Sequence, residues 1–222
     1  MKTTPDYTNA AVKAAETLVR FGIDSAPVNP IPMILNTPGV TLVSFTEFAD
    51  NVGIERKELM KRVTGSPDAF SSVIMEGDSM RYIIAYNKLL GENNHSLHCA
   101  LAREYGHVVL GHDGSLPYDV RMEEVRCFHH HLLSPRALIH LIQVSGIRLT
   151  TATLNFMTGC NDQCLSSMRT LPEVHVPADL NRAVRDQFMD YFFNHFECQR
   201  VRTISDGSAL ADFGTYMKGY EE

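Results

Sequence analysis

Residues 101–112 read Leu101-Ala102-Arg103-Glu104-Tyr105-Gly106-His107-Val108-Val109-Leu110-Gly111-His112, and the rest of the chain is placed by how this stretch is read. Leu101, Tyr105 and Val108 recur at helical spacing, while Glu104 and His107 lie on the adjoining face. The segment from Asn93 to Gly111 therefore reads as an amphipathic helix stopped by its glycine. A loop, His112 to Asp119, leads to a second helix from about Val120 to Leu133 with Val125, Phe128 and Leu132 on its core side. Ser134-Pro135 ends it, because the residue before a proline is pushed out of helical geometry. Upstream, Ser71–Met75 and Met80–Tyr86 flank the turn-rich Glu76-Gly77-Asp78-Ser79, which predicts an antiparallel hairpin.

Further out, Asp6 caps a helix over Tyr7–Phe21, with Gly22 as its stop. The proline-rich connector Ser25–Pro38 holds one helical turn at Ile31–Leu35. Val40–Phe45 reads as a strand, and Thr46–Thr64 as helix broken near Gly53. From Arg136 the pattern is all-helical, near 136–145, 151–158, 162–170 and 179–198, and Val201–Glu222 reads as a loosely packed tail. These elements predict an α+β fold in which a small, mostly antiparallel sheet packs on helices. They divide the chain into a core (1–135), a helical carboxy-terminal part (136–200) and the tail (201–222).

A chain of 222 residues buries enough apolar surface to fold without staples. Its 44% hydrophobic and 21% charged composition, with net charge −6, argues against disorder and against a dominant nucleic-acid surface. Met1–Asp6 lacks the apolar core of a signal peptide and no run is long enough to span a membrane, which predicts a cytoplasmic protein. Five cysteines in such a chain are expected to be reduced thiols, with Cys160 and Cys164 sharing one helix face as core packing.

Zinc peptidases place two histidines four apart on one helix face, with a glutamate after the first to deprotonate the metal-bound water. This chain has Ala102-Arg103-Glu104-Tyr105-Gly106-His107, then Leu110-Gly111-His112, then Glu124-Val125-Arg126-Cys127-Phe128 and Leu132-Leu133-Ser134-Pro135. The pattern resembles the ImmA/IrrE family of metallo-endopeptidases, which show Leu-Ala-His-Glu-Leu-Gly-His, Leu-Gly-His, and Glu-Ala-x-x-Phe-Ala-x-x-Leu-Leu-x-Pro. Tyr82–Asn87 is similar to the strand before the family's active-site helix, and Leu154–Cys160 with Leu165 and Met168-Arg169 to its later helical segment. The resemblance covers roughly residues 25–172. It implies a zincin-like core with zinc as cofactor, Glu104 as general base, and His107 and Glu124 as metal ligands. It further implies a protein substrate, a helix-turn-helix repressor of a mobile element or stress response.

The departure is Arg103, which stands where the first histidine ligand belongs. A guanidinium has no free lone pair and carries a full positive charge, so it repels a cation rather than binding it. One consequence is a degenerate, metal-poor site in which Arg103 pairs with Glu104 or Glu124, making the chain an inactive pseudopeptidase that still grips a protein partner. The alternative is repair by Cys127 or His131, three and seven residues beyond Glu124 on its helix. Of His129-His130-His131, at most one ring is expected to face the cleft, and the others to be packed or solvated. His112 is expected to brace or pack rather than coordinate, and His95 and His98 to lie at the surface. Thr151–Thr170 has the outline of a DNA-binding helix-turn-helix, but 161–171 carries one arginine and one aspartate, so direct nucleic-acid binding is not expected.

Overall fold

The computed structural model describes residues 4–62, 68–76, 79–91, 94–144 and 146–203. Its first helix, α1 (Tyr7–Arg20), starts where Asp6 accepts the Asn9 amide at 2.9 Å, and one apolar stripe, Ala10, Ala11, Ala14 and Leu18, is fully buried. After the connector come the short α2 (Ile31–Leu35) and strand β1 (Val40–Ser44). Ser44 and Glu47 form a reciprocal capping box that turns the strand directly into α3 (Phe45–Val52), followed by α4 (Arg56–Arg62). Strands β2 (Ala69–Glu76) and β3 (Ser79–Tyr86) form the expected hairpin, with Ala69 opposite Tyr86.

The sheet order is β1-β3-β2, and β1 runs parallel to β3, from Val40 opposite Tyr82 to Ser44 opposite Tyr86. The sheet is thus mixed, which corrects the mostly antiparallel expectation. The reason lies in the connections. With only two residues between Glu76 and Ser79, β2 and β3 can pair only antiparallel, whereas the long path from β1 through α3, α4 and β2 leaves β1 free to take the far side of β3 in the same direction. Alternation along β3 sends Ile84 into the main core and Ala85 to the opposite face, where it meets Phe45, Ala49 and Leu59. Phe70 extends that second cluster, stacking on Phe45 at 5.6 Å and edge-on to Phe48 at 5.1 Å.

A 3-10 turn (Lys88–Leu90), unmarked in the sequence reading, leads to α5 (His95–Val109), which Asn94 caps and which packs on β2 and β3. The second helix of the expected pair, α6 (Tyr118–Leu133), folds back along α5 and is covered on another side by α1. Helices α7 (Arg136–Val144), α8 (Thr151–Thr158), α9 (Asp162–Met168) and α10 (Ala178–Thr203) follow, the last reaching beyond its expected end. Most of the expected tail, 204–222, lies outside the described residues. One hydrophobic core runs from Ala10 in α1 to Phe192 in α10 and draws on both sides of Pro135. Helices α8 and α9 bury Leu154, Met157, Leu165 and Met168 against it, as a structural helical hairpin does.

Helix α5 approaches α6 so closely because residue 106 is glycine. A Cβ there would lie 3.0 Å from the Phe128 ring and 3.2 Å from Val125. Beside it the Tyr105 ring meets Phe128 edge-on at 6.2 Å, and its hydroxyl bonds Thr37 at 2.8 Å. Gly106→Val forces these helices apart and is expected to lower stability by about 1–3 kcal/mol. Denaturant midpoints read this directly, and an unchanged midpoint would refute the close approach.

Candidate functional site

Glu104 points from α5 toward β2 and is 7% exposed. Its Oε2 accepts the Ser71 hydroxyl at 2.8 Å, and its Oε1 accepts Arg103 Nε and Nη2, both at 3.2 Å. Burial raises the Glu104 carboxyl above its ordinary range, and Arg103 and Ser71 oppose that rise. Arg103 thus supplies beside Glu104 the positive charge that a metal would otherwise bring.

Further along the helix pair, His107 Nδ1 lies 3.0 Å from His112 Nδ1, and His112 Nε2 lies 3.0 Å from Glu124 Oε2. The Asp6 backbone N–H donates to Glu124 Oε1 at 2.7 Å. A carboxylate only accepts, so a neutral His112 carries its proton on Nε2 toward Glu124. Its Nδ1 then accepts from His107 Nδ1–H. Glu124, 3% exposed, therefore has both oxygens engaged by this chain, and His112 stands between it and His107. Burial, then the His112, Arg121 and Arg103 charges, push His107 down to about 3.

The expected peptidase zinc does not fit this arrangement. Arg103 cannot ligate, Glu124 is spent on His112 and the Asp6 amide, and Glu104 is paired with Arg103 and Ser71. Among the described residues, the sets of three or more His, Cys, Asp or Glu donor atoms lying within 4.8 Å of one another include none of Glu104, His107 or Glu124. Neither Cys127 nor His131 joins such a set. Cys127 donates its thiol to the Tyr7 carbonyl at 3.3 Å, and burial pushes it up to about 12. One turn on, His131 is 5% exposed, its Nε2 has no hydrogen-bond partner, and burial with the nearby Arg136 pushes it down to about 3.

The sequence reading passed over another group. Cys99 of α5, Cys160 before α9 and Cys164 of α9 bring their sulfurs together, and Cys164 also meets His129 and His130 of α6. These His and Cys groups could hold a metal ion. The spacing of Cys160 and Cys164 fits core packing, and the donors that join them come from helices more than twenty-five residues away, with no clip spacing to mark them. His98, expected at the surface, is buried, as is His130, while His95 is exposed. For His130 the reason is α9, whose Cys164 and Ser167 pack against its ring.

No family model, curated protein or solved structure matches the chain. Among the described residues, no helix is long and apolar enough to cross a membrane.

The depressed His107 gives a pH signature. Its folded value of about 3 lies below an unfolded value of about 6.5, so the unfolded chain binds the proton more readily, and stability falls as pH drops from about 6.5 toward 3. His107→Gln keeps a donor for His112 but removes the titrating ring. It should flatten the stability–pH curve over that window by about 0.7 kcal/mol per pH unit, half the full linkage slope because the ring is partly exposed. Glu104, raised rather than lowered, contributes with the opposite sign and cancels in the comparison. Parallel curves for the two proteins would disprove the depressed value.

Proposed function

We propose that the chain is an ImmA/IrrE-like pseudopeptidase of the cytoplasm, a zincin-type scaffold that holds a protein partner without cutting it. The observation that carries this reading is the replacement of a metal by internal partners: Arg103 on Glu104, and His112 with the Asp6 amide on Glu124. Hydrolysis of an amide by this machinery requires a cation to activate water and polarise the carbonyl. A fixed guanidinium 3.2 Å from the general-base position opposes one. The α5–α6 pair and the motif residues along it support the family assignment, and the partner the resemblance suggests is a helix-turn-helix repressor.

The sheet supports a gripping role. β2 is an outer strand, with Ser71 next to Glu104 and with Ile74 and Met75 exposed toward its end. An extended segment of a partner could add to such an edge through backbone hydrogen bonds, with apolar side chains on the exposed residues. Charge then confers selectivity, since Arg103 favours a partner carboxylate near the cleft.

The test is hydrolysis. Zinc-supplemented wild-type protein should leave unstructured peptides and helix-turn-helix repressors intact. Arg103→His, which restores a neutral donor, should take up one more metal equivalent than the wild type. Wild-type cleavage that disappears in Glu104→Gln would sink the reading and restore the active peptidase.

A further inference from the structure

Cys99 comes from α5 and Cys160 and Cys164 from the start of α9, some sixty residues on, yet their Sγ atoms all lie within 4.8 Å of one another. Cys160 and Cys164 are 1% and 8% exposed. Unrelated core cysteines behave as small apolar groups and have no need to face one another. Here the convergence is supported by the backbone. Gly159, at φ 68°, ends α8 and lets the chain pass so near α5 that a Cβ would lie 2.6 Å from His95 Nδ1 and 3.0 Å from Pro27. Asn161 then caps α9 through the Cys164 amide at 2.8 Å, which fixes Cys160 and Cys164 on either side of the helix start.

Imidazoles stand beside one of the three sulfurs: His129, His130 and Cys164 form a second set of donor atoms within 4.8 Å of one another. His130 Nδ1 lies 3.6 Å and His129 Nε2 3.8 Å from Cys164 Sγ. Tetrahedral zinc with bonds of about 2.3 Å to sulfur and about 2.0 Å to nitrogen places S and N ligand atoms about 3.5 Å apart. The Cys164–imidazole separations lie within a few tenths of an ångström of this, and since Cys164 alone belongs to both sets, closing the site also requires one ring to turn toward Cys99 and Cys160. The tautomer of His130 is also set for coordination. Ser167 donates its hydroxyl proton to the Cys164 carbonyl at 2.8 Å, so its oxygen accepts from His130 Nε2–H at 2.7 Å, and the Nδ1 lone pair is left facing the sulfur. Such an outer partner is what orients ligand histidines in metal proteins.

We propose that Cys99, Cys160 and Cys164, with one imidazole of the His129–His130 pair, form a buried zinc site of the three-thiolate, one-imidazole type. Binding releases the thiol protons to solvent, forms three Zn–S bonds and one Zn–N bond, and involves no change of oxidation state. Zinc fits because thiolate-rich, closed, tetrahedral sets select it over hard cations. Three thiolates and a neutral histidine leave the filled site with one net negative charge. Arg103 lies one turn beyond Cys99 on α5 and is the nearest cation along that helix. With no open ligand position among four protein donors, the role is structural: the ion ties α5 and α6 to the α8–α9 hairpin.

The site is independent of the pseudopeptidase reading, and the experiment separates them. Full-length protein purified without chelator is expected to carry about one zinc per chain by elemental analysis. Cobalt(II) exchanged for that zinc should give the intense near-ultraviolet sulfur-to-cobalt absorption and tetrahedral visible bands of a thiolate site. Cys160→Ser and Cys164→Ser should each lose the metal, while Cys127→Ser and His107→Gln keep it. Since a cysteine variant could fail to fold, protection of the wild-type thiols from alkylation by added zinc, reversed by chelator, provides a second readout. Wild-type protein that binds no zinc or cobalt, or binds it without thiolate absorption, overturns the proposal. So does metal that survives Cys160→Ser but is lost in His107→Gln, which would return it to the peptidase position.

Discussion

Two carboxylates sit in the interior between α5, α6, β2 and α1, and the fold around them is organised by how their charge is met. A buried carboxylate without partners is too costly for a domain of ordinary stability to carry. Glu104 is met by Arg103 and Ser71, and Glu124 by His112 and the Asp6 amide. Each partner comes from a different place: the same helix, the outer strand, the loop after α5, and the start of α1. Satisfying these two groups therefore fixes how a strand, a loop and the first helix dock on the α5–α6 pair.

That arrangement also decides what chemistry the cleft can do. A metal at the Glu104–His107–Glu124 position would have to displace a guanidinium and draw Glu124 away from two existing bonds. One turn back along α5, Cys99 faces Cys160 and Cys164 instead, so two adjacent places on one helix present different donor chemistry: carboxylate with guanidinium, and clustered sulfur.

Much of the fold was legible because local signals agreed. The Asp6 cap, the Ser44 strand-to-helix turn, the β2–β3 hairpin and the Ser134-Pro135 stop each place an element end within a few residues. The direction of β1 was not legible, since its own residues suit either pairing and the choice rests on a long connection. At the site, the helix period put Glu104 and His107 on neighbouring faces, but not the insertion of His112 between His107 and Glu124. That contact depends on the turn at Gly111, not on spacing along a helix. The thiol cluster was invisible for a similar reason: Cys99 and Cys164 are brought together by the packing of α8–α9, which no local pattern encodes.

Asp6 has two jobs, one for its side chain and one for its backbone. Its side chain opens α1 by accepting the Asn9 amide, and its backbone N–H holds Glu124. The first helix is thereby latched to a carboxylate on α6. Because α1 also packs against α10, a bond between one backbone amide and one buried acidic residue joins the α5–α6 pair to the last helix through a shared neighbour, as a mechanical joint does.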